Sequence, residues 1–246
     1  MKAALLIIVG FLVTVPMGEC WGQRVPGKSI IDESTAIKLA AGYAGVSLPG
    51  AATNGVRITT AFTNALPSSL SFMQISNGPA WKVVFGGVEI TAMSNGSLRR
   101  NSSIHEVTAW VGAEDGALLG IFTPPPPDKR ALSLPAEQGE IVEQGFSLKR
   151  TTATPKVPFL SLLHSAPGHL YSARDATQIT AFFGLLTDSA RPRYGIVDKP
   201  YWVIILAGVR ISVPSGPAPG GGAGVSTICV TFAGGEDGHV HYEMAH

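Results

Sequence analysis

The residues around Trp81 recur around Trp202, 121 positions later (202 − 81). Pro79-Ala80-Trp81-Lys82-Val83-Val84-Phe85-Gly86-Gly87-Val88-Glu89-Ile90 aligns without a gap with Pro200-Tyr201-Trp202-Val203-Ile204-Ile205-Leu206-Ala207-Gly208-Val209-Arg210-Ile211. At the same offset Ile58-Thr59 falls on Ile179-Thr180, Phe62 on Phe183, and the alternating Val107, Ala109, Val111 on Ile228, Val230, Phe232. One inserted residue in Ala233-Gly234-Gly235 then brings Glu114-Asp115-Gly116 onto Glu236-Asp237-Gly238. Over residues 58–111 the two stretches share 11 of 54 residues, where average usage gives roughly 4. A self-similar chain is expected to fold as repeated supersecondary units. The shared residues are mostly Trp, Ile, Phe, Val, Pro and Gly, with Thr59/Thr180, Ser68/Ser189 and Ser94/Ser215 beside them but no nucleophile paired with a base or metal ligand, so the repeat carries fold rather than a duplicated reactive site.

A length of 246 residues accommodates two units of about 90 to 100 residues, each expected to bury a modest core of its own. Charged residues are only 14% of the chain and the net charge is +1, which disfavours the clustered basic face of a nucleic-acid binder. Arg99-Arg100 and Lys149-Arg150 read as solvated loop charges. At the N-terminus, Lys2 precedes an apolar run from Ala3 to Val15, then Pro16 and small or polar residues to Gly22. That is the layout of a secretory signal, too short to span a bilayer, with cleavage expected after Gly22. A lipoprotein reading would modify Cys20 instead, although Glu19 is a poor residue to precede a lipidated cysteine. Removal of Cys20 with the signal leaves Cys229 alone, so no intrachain disulfide is expected. Cys229 lies in an alternating strand pattern and reads as inert packing.

The coarse reading gives an α+β fold of two related modules, each a small antiparallel sheet, at least the first covered by a short helix. Asp32-Glu33 lead into apolar positions 36, 37, 40, 41 and 44, a helical spacing with acidic residues where they complement the dipole. Gly45 ends that helix. Strands are expected at 56–62, 80–90, 106–111 and about 118–122, and at the matching positions 177–183, 201–211 and 227–232 of the second module. Residues 202–206 are apolar on both faces, which predicts a sheet covered twice. In the second module, residues 159–164 are the one candidate for a counterpart of the helix. The stretches 92–103 and 213–224 read as hairpin tips. Asn95-Gly96-Ser97 and Asn101-Ser102-Ser103 fit the glycosylation pattern. Thr123-Pro124-Pro125-Pro126-Pro127 favours an extended spacer, and the polar residues up to about 154 read as linker. The expected boundaries are 1–22 signal, 23–122 first module, 123–154 spacer and linker, and 155–246 second module.

The acidic helix start at Asp32-Glu33, the strand opening Trp81-Lys82-Val83 and the turn Ala113-Glu114-Asp115-Gly116 resemble a PepSY-type domain, the kind found in peptidase propeptides. The resemblance covers residues 30–122 and extends through the strands alone to 155–246. It departs at the turn, where the family usually shows Asp-Ala-x-Thr-Gly. The resemblance implies a small extracytoplasmic α+β domain that inhibits or regulates a peptidase or another envelope protein, and it supplies no catalytic residues.

His239 and His241 have a spacing that suits zinc if a third ligand joins, with Glu236, Asp237, Glu243 and His246 nearby in sequence. Their counterparts Ala117 and Leu119 are apolar, and a chain terminus is a poor place for a rigid site, so no metal is assigned. Glu114-Asp115-Gly116 and Glu236-Asp237-Gly238 read as Asp-Gly turns rather than paired catalytic carboxylates or calcium loops. His105, His164 and His169 read as structural. No nucleophile elbow, zinc-peptidase or phosphate-loop motif occurs. The sequence points to an exported, non-enzymatic binding protein without cofactor, membrane span after signal removal, or nucleic-acid partner. A structural or surface spacer is the first alternative, and a metal-dependent enzyme using the C-terminal histidines the second.

Overall fold

The computed structural model describes residues 30–48, 56–64, 78–94, 97–123, 144–165, 173, 176–213 and 224–245. The expected signal, Cys20, the proline run, His169 and His246 lie outside these residues, as do 95–96 and 214–223 at the two hairpin tips. No described helix is long and apolar enough to cross a membrane.

Helix α1, Glu33–Ala44, begins where the sequence places it. Asp32 caps it by accepting a hydrogen bond from the Thr35 N–H at 2.7 Å, which satisfies one of the first-turn donors left without an intrahelical partner. Gly45 closes it at φ 78°, its N–H donating to Ala41 O at 2.8 Å, a left-handed cap that glycine adopts without a steric penalty. Its buried face is mostly Ala36, Ala40, Ala41 and Ala44, small residues that let the helix lie close to the sheet.

The described strands are β1 (Arg57–Thr63), β2 (Ala80–Ser94), β3 (Ser97–Gly112), β4 (Leu118–Thr123), β5 (Phe146–Lys149), β6 (Gln178–Asp188), β7 (Lys199–Val213), β8 (Gly224–Gly234) and β9 (Val240–Ala245). All join one antiparallel sheet in the order β1-β2-β3-β4-β6-β7-β8-β9, with β5 also paired to β6. In place of the separate sheet and core expected for each module, the two halves share a seam. There Ile121, Phe122 and Thr123 pair with Ala181, Thr180 and Ile179, and the Thr123 hydroxyl accepts the Ile179 N–H at 3.0 Å. One apolar core runs across this seam, from Val83, Phe85 and Val107 to Trp202, Leu206 and Cys229.

The segment read as linker contains β5, whose four residues pair with Leu185–Asp188 of β6. Helix α2, Phe159–Ser165, does form in the second half, burying Phe159, Leu160, Leu162 and Leu163 in the same core as α1 and packing against β2. A second apolar core fills the opposite face of the second half, from Phe146 and Phe182 to Val203, Val230 and Phe232. The two-faced apolar pattern of β7 has this cause. β5 and β8 would be roughly 14 Å apart in a flat sheet, yet the rings of Phe146 and Phe232 stack at 4.5 Å. The sheet therefore curls around this core.

The halves match in detail. Phe62 pairs with Trp81 across β1 and β2, and Phe183 with Trp202 across β6 and β7. Gly87 at φ 83° and Gly208 at φ 72° mark a register shift at equivalent places, where a left-handed residue produces a β-bulge. Beyond the bulge the offset is not the one read from sequence. Phe85 pairs with Val107 and Leu206 with Cys229, so β8 corresponds to β3 at 122 residues (229 − 107). Cys229, Thr231 and Ala233, not Ile228, Val230 and Phe232, therefore stand where Val107, Ala109 and Val111 stand. Val230 and Phe232 lie in the second core on the other face.

Candidate functional site: the β1 edge

The repeated tryptophan has a function in the fold that the sequence did not show. The Trp81 indole N–H donates to Ile31 O at 3.0 Å, and that of Trp202 donates to Val157 O at 2.9 Å. Each acceptor stands two residues before a helix. The indole thus ties the helix entry to its strand, while Ile31 N and Val157 N donate to Ala113 O at 2.8 Å and Gly235 O at 3.1 Å in the two turns. The turns match as well: Asp115 and Asp237 each accept a backbone N–H two residues on, at 3.0 and 2.9 Å, and Gly116 and Gly238 both adopt φ 72°. These carboxylates shape Asp-Gly turns.

The halves differ in what covers the aromatic pair. Phe183 and Trp202 lie 5.1 Å apart, are 3% and 0% exposed, and meet Phe159 at 6.1 Å from the indole. The outer edge of β6 is paired by β4 and β5. Phe62 and Trp81 make the same step at 5.2 Å, yet Phe62 is 43% exposed and Trp81 is only partly buried. Trp81 is therefore not the fully buried anchor that its likeness to Trp202 suggests. Where Phe159 stands two residues after Val157, the first half has Glu33 two residues after Ile31. The Glu33 carboxylate accepts the Thr60 hydroxyl and so holds β1 against the start of α1. β1 ends the strand order, and no described strand lies beyond it. An edge strand presents outward N–H and C=O groups in a row, here beside an exposed aromatic step.

His164, His239, His241, Cys229 and the Lys149-Arg150 pair are dispersed over the described residues. His239 is exposed at the turn before β9, and His241 is exposed with its ring 5.3 Å from that of Tyr201. No group of three or more His, Cys, Asp or Glu able to hold a metal occurs among the described residues. Cys229 is fully buried, and burial pushes its thiol up to about 11, the opposite of an activated nucleophile. His164 is exposed at the end of α2. Lys149 pairs with Asp198 at 2.9 Å and Arg150 with Asp115 at 2.5 Å. Arg150, read as a solvated loop charge, thus braces the first turn. Its guanidinium lies so close over Gly112 that a side chain there would collide with it. Lys156 pairs with Glu236 in the second turn, so the segment leading into α2 is tied to both halves.

No family model, curated protein or solved structure matches this chain.

Proposed function

We propose that the chain is an exported, non-enzymatic binding protein built from two copies of one strand-rich unit, and that it takes an extended segment of another envelope protein onto the outer edge of β1. The observation that carries this reading is the contrast between equivalent edges. The outer edge of β6 is paired within the chain, while among the described residues no strand covers β1, and Phe62 in its aromatic step with Trp81 is exposed. An added strand would gain backbone hydrogen bonds from β1 and place one side chain against Phe62, the mode of β-strand addition. The PepSY-like pattern of residues 30–122 and the apolar N-terminal run favour a peptidase or other extracytoplasmic partner over a bare spacer. The buried Cys229 thiol and the dispersed histidines favour binding over catalysis.

The test uses short peptides selected on the full chain from a random display library, with affinities measured by fluorescence anisotropy. Phe62→Lys is expected to weaken the selected peptides by roughly tenfold or more, since loss of an apolar anchor of about 1.4 kcal/mol has that effect. Tyr194→Ala, on a distant loop, is expected to leave them unchanged. Equal affinity for wild type and Phe62→Lys would overturn the edge assignment.

A further inference from the structure

The opposite edge of the sheet carries a pocket unrelated to β1. After β6 the chain leaves at Asp188, makes a tight helical turn at Pro192–Tyr194, and returns into β7 at Lys199. This excursion folds against β9. The Tyr194 ring meets Tyr242 edge-on at 5.8 Å, and the Tyr201 ring meets His241 at 5.3 Å. Together with Ile196 and Lys199 these residues line a pocket of about 370 Å³, within the size range of small-ligand sites, which combine apolar walls with a few convergent polar groups.

The wall behind Tyr242 is built around the buried Asp188 carboxylate and the partly exposed side chain of Arg191. Asp188 is 1% exposed and accepts the Arg191 N–H at 3.0 Å, while its other oxygen lies 3.7 Å from Arg191 Nη1. The guanidinium lies over the rings of Phe146 and Tyr242, at 5.5 and 5.3 Å from their centres, where a cation is attracted by the ring face. Burial, with the Asp188 carboxylate beside it, pushes the Tyr242 phenol up to about 12. These groups form a polar layer next to the pocket. Asp198, beside Lys199, adopts φ 49°, the positive φ of a non-glycine residue, and is held there by Lys149 and Thr187. Strain of this kind concentrates at functional sites.

The chemistry of the lining selects a ligand class. Tyrosine and histidine rings with Ile196 suit a flat apolar body. Lys199 supplies a full positive charge, no carboxylate is among the described residues that line the pocket, and Arg193 stacks over Tyr194 at 5.0 Å. A cation would meet the like charge of Lys199. We propose that this pocket binds a small aromatic carboxylate, its ring among Tyr194, Tyr201 and His241 and its carboxylate on the Lys199 ammonium.

The probe is indole-3-acetate, titrated into the full chain by calorimetry and by saturation-transfer NMR, beside neutral indole-3-ethanol and cationic tryptamine. Saturable binding of the acetate in the millimolar range or tighter is expected, with the alcohol weaker and tryptamine weakest. Lys199→Gln should weaken the acetate by roughly tenfold and leave the alcohol unchanged, and Tyr194→Ala should weaken both. Lys199 and Tyr194 are exposed, so both variants are expected to keep the wild-type far-UV circular dichroism. Tryptamine binding as tightly as the acetate, acetate affinity indifferent to both substitutions, or no saturable binding by any of the three would overturn the proposal.

Discussion

Trp202 and Trp81 show how one residue type in one local geometry can carry different weight. Both donate an indole hydrogen bond to the carbonyl before a helix, but only Trp202 is fully enclosed. Trp202→Ala should therefore cost about 3 to 5 kcal/mol in denaturant unfolding, and Trp81→Ala clearly less. Trp202→Phe keeps most of the apolar volume and loses the N–H, leaving a carbonyl unpaired at a cost of about 1 kcal/mol. Equal losses for the two alanine variants would contradict the difference in burial. Cys229 offers a pH test. Its thiol is raised from 9.0 to about 11, first by burial. A raised acid stays protonated in the fold while the unfolded chain ionises, so its contribution is complete below about pH 9 and lost as pH rises toward 11. The stability advantage of wild type over Cys229→Ala should accordingly shrink between those values. Iodoacetamide should leave the native thiol unmodified at pH 8.

The elements were legible wherever one face was polar and ambiguous wherever both were apolar. Helix α1 could be read from Asp32, the alanine spacing and Gly45, and β2 from the alternation around Trp81. β8 could be placed but not phased. Residues 229–233 are all buried, on one face or the other, so a one-residue slip, which exchanges the faces of a strand, left no trace in the apolar pattern. β5 is four residues in a polar stretch, and its strand state comes from pairing with β6 rather than from its own pattern. Helix α2 is short and apolar, without an acidic start, and is held through Trp202 and the second turn. Part of the candidate site was visible in Phe62, which aligned with Phe183. Its exposure was not, because that depends on the Glu33 and Phe159 difference and on β4 and β5 covering only β6. The turn glycines make an element-level prediction: Gly116→Ala and Gly238→Ala, both at φ 72°, should each lose about 1 to 2 kcal/mol. The Leu39 or Leu162 side chain beside the new methyl group would also have to shift. Unchanged melting of either variant would show that the turn relaxes.

The described strands form one sheet with a shared core and two ends of different character. The seam between the halves pairs Ile121 with Ala181. The corresponding residues at the outer ends are Glu243 on β9 and Thr60 on β1, the latter already bonded to Glu33. Joining a second chain head to tail would bring a carboxylate to that spot, and charged edge residues of this kind oppose sheet extension between like chains. The chain should therefore run as a monomer by light scattering, and a concentration-dependent series of oligomers would contradict this. Because the core crosses the seam, calorimetry should show a single unfolding transition rather than one per half. The proposed export predicts a mature N-terminus near Gln23 by mass analysis, and an intact Met1 would contradict it. No described strand covers the outer edge of β1, where the proposed partner strand would add, while its counterpart β6 is already paired by β4 and β5. Residue-resolved amide hydrogen exchange on the full chain tests this directly, in the free state and with a selected peptide. Alternate amides of Arg57–Thr63, those facing outward, should exchange fast in the free chain, unlike the amides of β6, and gain protection on binding. Uniformly slow exchange of β1 in the free chain, or peptide-induced protection that leaves β1 unchanged, would contradict it.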